Sequence, residues 1–140
     1  MAAPAQTPLT EASAFDRKAG DAHRQGRYSE AEIHYRNALA IREKTLDPDH
    51  PEIARTLYNA GTAVEAQGKY AEAEALYRQA LAMRERTLGP QHPDIASTLK
   101  TIGGSLFRQG KYAEAEASHR RALAIREQAL GSEHPDTAAS

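Results

Sequence analysis

GKYAEAEALYRQALAMRERTLGPQHPDIA, residues 68–96, returns at residues 110–138 as GKYAEAEASHRRALAIREQALGSEHPDTA, with 20 of the 29 positions identical. A related opening, Gly26-Arg27-Tyr28, stands 42 residues before Gly68, as Gly68 stands 42 before Gly110. His-Pro keeps the same step at His50, His92 and His134. Self-similarity at a fixed interval of this size marks a repeat array, whose units bury their apolar faces against one another. The 140 residues hold three units, 9–50, 51–92 and 93–134, behind a flexible segment 1–8, and residues 135–140 begin a fourth.

Each unit reads as two helices. In the second, Pro51 opens a helix where its missing N–H is not needed, and Glu52 stands in the positively charged first turn. Leu57, Ala60, Gly61 and Val64 recur at helical spacing. Gly68 ends that helix in the left-handed conformation that glycine adopts without a Cβ clash. A second helix then carries Tyr70, Ala73, Tyr77, Ala80 and Leu81 on one face, with Glu72, Glu74, Arg78, Arg84 and Arg86 mainly elsewhere, until Leu88-Gly89-Pro90 stops it. The third unit repeats the scheme with Leu99, Ile102, Gly103 and Leu106, then Tyr112, Ala115, His119, Ala122 and Leu123. No stretch alternates with period two, so strands are not expected. The fold class is an all-α solenoid of three antiparallel helix pairs.

A helical glycine costs about 0.5–1 kcal/mol against alanine, so Gly61 and Gly103 need a reason. Both lie seven residues before a turn glycine, where the first unit has Ala19. Close helix crossing, with room for no more than a methyl group, is the simplest one. Alanines 31, 73 and 115, and 38, 80 and 122, serve the second helices in the same way.

Composition removes several function classes. The chain lacks cysteine, which excludes disulfides, thiol catalysis and the common zinc modules. Eighteen basic and nineteen acidic residues give a net charge of −1, which argues against a nucleic-acid binder. No apolar run approaches the ~18 residues of a membrane span, and the N-terminus lacks the pattern of a signal peptide. A cytoplasmic protein is expected. Histidines are the only bases that titrate near neutrality. Three belong to the repeated His-Pro, which reads as helix-start packing or capping, because equivalent positions in stacked units lie on the order of 10 Å apart, too far to share a metal. His119 stands where Tyr35 and Tyr77 stand, as a core substitute. No phosphate loop, nucleophile elbow or His-Glu-x-x-His occurs. No enzyme activity, cofactor or metal is expected.

The small residue seven before the turn glycine, Gly-Lys-Tyr, Ala-Glu-Ala, and then Tyr with Ala-Leu resemble the tetratricopeptide repeat. The 42-residue period and the run from Tyr70 to Ala96 are similar to the long-helix variant found in kinesin light chain and in many bacterial signalling proteins. The resemblance covers the chain from about Leu9 to its end. It implies a right-handed superhelix whose first helices line a concave groove holding a peptide or a helix of another protein.

Family geometry places two sets on each first helix. Residues eleven, eight, seven and four before the turn glycine pack inward, and those thirteen, ten, nine, six, three and two before it line the groove. Unit one then supplies Ser13, Asp16, Arg17, Gly20, His23 and Arg24. Unit two supplies Arg55, Tyr58, Asn59, Thr62, Glu65 and Ala66, and unit three Ser97, Lys100, Thr101, Gly104, Phe107 and Arg108. Five cations face two anions (Asp16 and Glu65) on that surface, although ordinary scatter of surface charge gives a similar count. Tyr58 and Phe107 offer apolar anchors, and Asn59 a hydrogen-bonding group for a peptide backbone. The residues that clamp a chaperone's C-terminal carboxylate in some relatives are not matched, with Asp16, Gly20, Ser97 and Thr101 at those places and only Asn59 agreeing. By analogy with kinesin-light-chain grooves the expected ligand is an acidic peptide carrying an aromatic residue.

The two ends differ. Lys18 takes the inward place of Ala60 and Ile102, which suits a polar N-terminal cap. At the other end, Ala115, His119, Ala122, Leu123 and Leu130 are expected to face a neighbour, either more of a longer array or another chain. Self-association, with two-fold pairing of these edges, is the alternative function.

Overall fold

The computed structural model describes residues 6–133, which form six helices. They are α1 (Gln6–Arg24), α2 (Tyr28–Thr45), α3 (Pro51–Ala66), α4 (Tyr70–Leu88), α5 (Pro93–Arg108) and α6 (Tyr112–Glu133). Among the described residues there is no strand. Each helix packs chiefly on the helices before and after it in the chain, so three hairpins stack in a row as an all-α solenoid.

Local chemistry sets the boundaries. His50 and His92 cap α3 and α5, each ring Nδ1 accepting the backbone N–H two residues on, from Glu52 and Asp94, at 3.1 Å. Pro51 and Pro93 follow in the first helical position. His134 and the expected fourth unit lie outside the described residues. The turn glycines Gly26, Gly68 and Gly110 have φ of 79°, 81° and 80°. In each of these turns the next N–H returns to the carbonyl five residues back, as Lys69 does to Val64, which satisfies a carbonyl left over at the helix end.

Two boundaries differ from the sequence reading. Helix α1 begins at Gln6, so residues 6–8 of the segment expected to be flexible are helical, and residues 1–5 lie outside the described residues. Helix α6 continues through Gly131 to Glu133. Pro48 and Pro90 push the residue before them out of the helical region, whereas their counterpart is Ser132, which imposes no such stop.

The core runs through all three hairpins: Ala19, Ala31 and Tyr35, then Leu57, Val64, Tyr77 and Leu81, then Ile95, Ile102, Leu106 and Ile125. The close approach at Gly61 is made by a ring. A Cβ built there would lie 2.6 Å from Cε1 of Tyr77, and one on Gly103 would lie 2.6 Å from Nε2 of His119. Polar clamps join successive hairpins. Gln67 donates to Glu32 at 2.9 Å and Gln109 to Glu74 at 3.0 Å, while Arg36 pairs with Glu72 and Arg86 with Asp49.

Candidate functional site

The first helices α1, α3 and α5 present the expected groove residues. Between α3 and α5 lies a cleft of about 510 Å³ lined by Tyr58, Thr62, Glu65, Tyr77, Ser97, Lys100, Thr101, Gly104 and Arg126. Tyr58 is built into its wall. Its hydroxyl meets the Thr101 hydroxyl at 2.7 Å, its ring lies 5.2 Å from that of Tyr77, and the Arg84 guanidinium sits over it at 5.3 Å. The free aromatic anchor expected at Tyr58 is therefore half-buried and held. Phe107 is the exposed one, at 59%, edge-on to Tyr112.

The cations divide into two groups. Arg24 pairs with Asp21, and Arg55 with Glu52 at 2.6 Å, partners one helical turn away that the count of groove positions omits. Arg17 and Lys100 are exposed with no acidic partner among the described residues, and Arg108 lies 5.8 Å from the Tyr70 ring centre. His23 rests edge-on against Tyr28. Asn59 and Thr62 are half-buried on the same face, the Thr62 hydroxyl donating to the Asn59 carbonyl.

Both groove acids are engaged. Asp16 accepts from Arg42 at 3.0 and 2.5 Å, and Arg42, almost fully buried, also donates to the Thr56 hydroxyl at 2.8 Å. Glu65 accepts from Ser105 at 2.9 Å and from the Tyr77 phenol at 3.4 Å. Burial first, and then the negative charge of Glu65, push that phenol far above its ordinary range.

Arg42, Arg84 and Arg126 form a ladder at 42-residue steps along the second helices. Each helix directs this side chain toward the first helices, and Arg84 donates to Thr98 at 2.8 Å as Arg42 does to Thr56. Arg84 was expected off the packed face. Instead it is half-buried against the Tyr58 ring, because a long side chain can lay its stem along apolar surface and carry its head to a polar partner. The sequence signal that could have found the ladder is Ile41-Arg42-Glu43, Met83-Arg84-Glu85 and Ile125-Arg126-Glu127.

At the C-terminal edge the expected set splits. Ala115 and Ala122 are buried in the core, like the equivalent Ala73 and Ala80, and do not face a neighbour. Leu123 and Leu130 are exposed, at 56% and 48%, and His119 is exposed although its ring lies against Gly103. A second cleft, of about 410 Å³, lies between the Pro48-Asp49 turn and α4, with Ile53, Leu57, Met83 and Arg86 in its lining. Among the described residues no three His, Asp or Glu side chains group to hold a metal ion, and no helix is long and apolar enough to cross a membrane.

Stacked helical hairpins with polar and cationic side chains along their first helices define a repeat scaffold. Tetratricopeptide repeat models match residues 10–86, 66–104 and 95–136, and the chain belongs to that family. Its repeats are of the kinesin-light-chain type. The kinesin light chain nearly identical TPR-like repeats of Podosopora anserina superpose with a TM-score of 0.76 at 26% identity, covering 99% of this chain and 64% of that one. BtubC (BKLC) from P. vanneervenii gives 0.78 at 25% identity, covering 89% and 49%. The chain thus spans under two thirds of either neighbour. The TPR domain of Arabidopsis FLU, at 20% identity and a TM-score of 0.75 over 89% of this chain and 99% of that one, shares the fold. No curated protein sequence matches. Repeats of this family are generally non-catalytic modules that bind proteins or peptides.

Proposed function

We propose that the chain is a non-catalytic interaction scaffold whose concave face takes an acidic peptide or helix carrying an aromatic residue. The observation that carries this reading is the charge left over in the groove. Asp16 is neutralised by Arg42 and Glu65 is engaged by Ser105, while Arg17 and Lys100 keep no acidic partner among the described residues. Exposed Phe107 and the hydroxyls of Ser97 and Thr101 supply an apolar contact and hydrogen-bonding groups beside them. The resemblance to kinesin-light-chain grooves supports the same ligand class. Fluorescence anisotropy with a Glu/Asp-rich, tyrosine-containing peptide tests it at two ionic strengths. Saturable binding that weakens with salt is expected, since exposed charges are screened, and equal affinity for a Lys-rich counterpart contradicts it.

Self-association is the second reading, favoured by the exposure of Leu123 and Leu130 on one edge. Two-fold pairing of that edge would cover both leucines, worth roughly 1.5–3 kcal/mol each before association costs. Mass in solution across a concentration series, with Leu123→Glu beside the native chain, tests it. A dimer lost in the variant supports the pairing, and a monomer throughout removes it.

A further inference from the structure

The arginine ladder carries an inference about where, and by what group, a ligand is held, and it rests on the acidic-peptide reading above. The first two rungs share an equivalent threonine, Thr56 and Thr98, but the three differ in the residue that the first helix of the same hairpin sets against them. In the first hairpin the guanidinium of Arg42 grips the carboxylate of Asp16. In the second, Arg84 lies over the ring of Tyr58, which occupies the place of Asp16. In the third, that place is Lys100, and both Lys100 and Arg126 line the cleft between α3 and α5. The rung that elsewhere meets a carboxylate or an aromatic face thus shares its cleft with a second cation. Among the described residues neither has an acidic partner.

Two cations left facing one cleft repel each other, and an anion between them relieves that repulsion. The cleft's own acid does not fill this role. Glu65 lies about two helical turns along α3 from the level of Tyr58, and its carboxylate is held by Ser105 and Tyr77. We infer that Lys100 and Arg126 form a carboxylate-binding subsite for one Asp or Glu side chain of the bound peptide. The Asp16–Arg42 pair is the intramolecular version of the contact, a guanidinium fork on both oxygens of a carboxylate. The Tyr58 and Thr101 hydroxyls stand beside it in the same lining. The subsite fixes the peptide's register: one acidic residue sits level with Lys100, and the chain passes toward exposed Phe107 along α5.

The ladder supplies its own test. Lys100→Asp should give Arg126 the partner that Asp16 gives Arg42, closing the subsite from within. Binding of a short fluorescein-labelled peptide bearing Asp, Glu and one Tyr is measured by anisotropy on the full chain, with melting temperature recorded for every variant. Loss of a charge-assisted hydrogen bond predicts weakening of roughly tenfold or more for Lys100→Asp and Arg126→Gln. Lys100→Asp should melt no lower than the native chain, and Lys100→Arg should bind like it. If the native chain binds the peptide while Lys100→Asp and Arg126→Gln bind equally well, the subsite is wrong and the groove reading stands. If the native chain does not bind the peptide, both fall. A lower melting temperature for Lys100→Asp overturns the pairing geometry itself.

Discussion

The phenol ring of Tyr77 lies across Gly61, so close that a Cβ on that residue would come within 2.6 Å of ring carbon Cε1. The equivalent pair in the third hairpin is His119 and Gly103, at the same 2.6 Å. The two rings differ in freedom, since Tyr77 is fully buried and His119 is exposed. Gly61→Ala should therefore destabilise, because overpacking a core that holds its ring costs typically 1–3 kcal/mol. Gly103→Ala should be neutral or stabilising, because the imidazole can swing aside while the helix gains about 0.8–1 kcal/mol of propensity. Chemical denaturation of both variants checks the contrast, and equal losses would show that His119 is as fixed as Tyr77.

Gly68 isolates backbone strain from packing. Its φ is 81°, and a Cβ added there meets nothing within 4 Å. Gly68→Val should lose more than about 1 kcal/mol, because a β-branched residue is strained at positive φ. The same denaturation experiment measures it, and an unchanged midpoint would remove the left-handed turn.

Asp16 and Arg42 test the first rung of the ladder. Asp16→Ala leaves an almost fully buried guanidinium with only the Thr56 hydroxyl as side-chain partner among the described residues, so a loss of roughly 1.5–3 kcal/mol is expected. Asp16→Asn, which keeps an acceptor, should lose less. Urea unfolding of the two variants decides the order.

Acid should weaken the joints between hairpins. Burial pushes the carboxyls of Glu32 and Glu74 up, but the Gln67 and Gln109 amides with the Arg36 and Arg78 guanidinia outweigh it, and both lie below the ordinary 4.5. A folded value below the unfolded one means stability that is complete above pH 4.5 and lost as pH falls through the lower folded values. Melting temperature should hold down to about pH 5 and then decline. The decline should be shallower in a Glu32→Gln, Glu74→Gln double variant, and an identical acid limb would show that these joints do not carry it.

The period, the turn glycines and the histidine caps were legible because each is a local rule copied at a fixed interval. Gly68 needs positive φ and Pro51 needs a helix start wherever the chain goes next. The ladder was not legible in the same way. Assigning Arg84 a face by helical period ignores a stem long enough to carry its guanidinium over the Tyr58 ring. The groove charge was overcounted for a simpler reason. Glu52 and Asp21 lie three residues from Arg55 and Arg24, where helix geometry always brings side chains together. Ala115 and Ala122 were misplaced although the repeat itself held the answer, since their equivalents at 73 and 80 belong inside a hairpin. The extra length of α6 turned on one residue, Ser132 in the place of Pro48 and Pro90.

The proposed function turns on the face of the first helices being the binding surface, and amide chemical-shift mapping tests it by location. An isotopically labelled chain is titrated with the acidic, tyrosine-containing peptide to saturation. The expected result is a set of perturbations confined to α1, α3, α5 and the α6 segment around Arg126, largest at Tyr58, Lys100, Thr101 and Arg126. Perturbations centred instead on Leu123 and Leu130, or around the Pro48-Asp49 cleft with the groove amides unmoved, would contradict it.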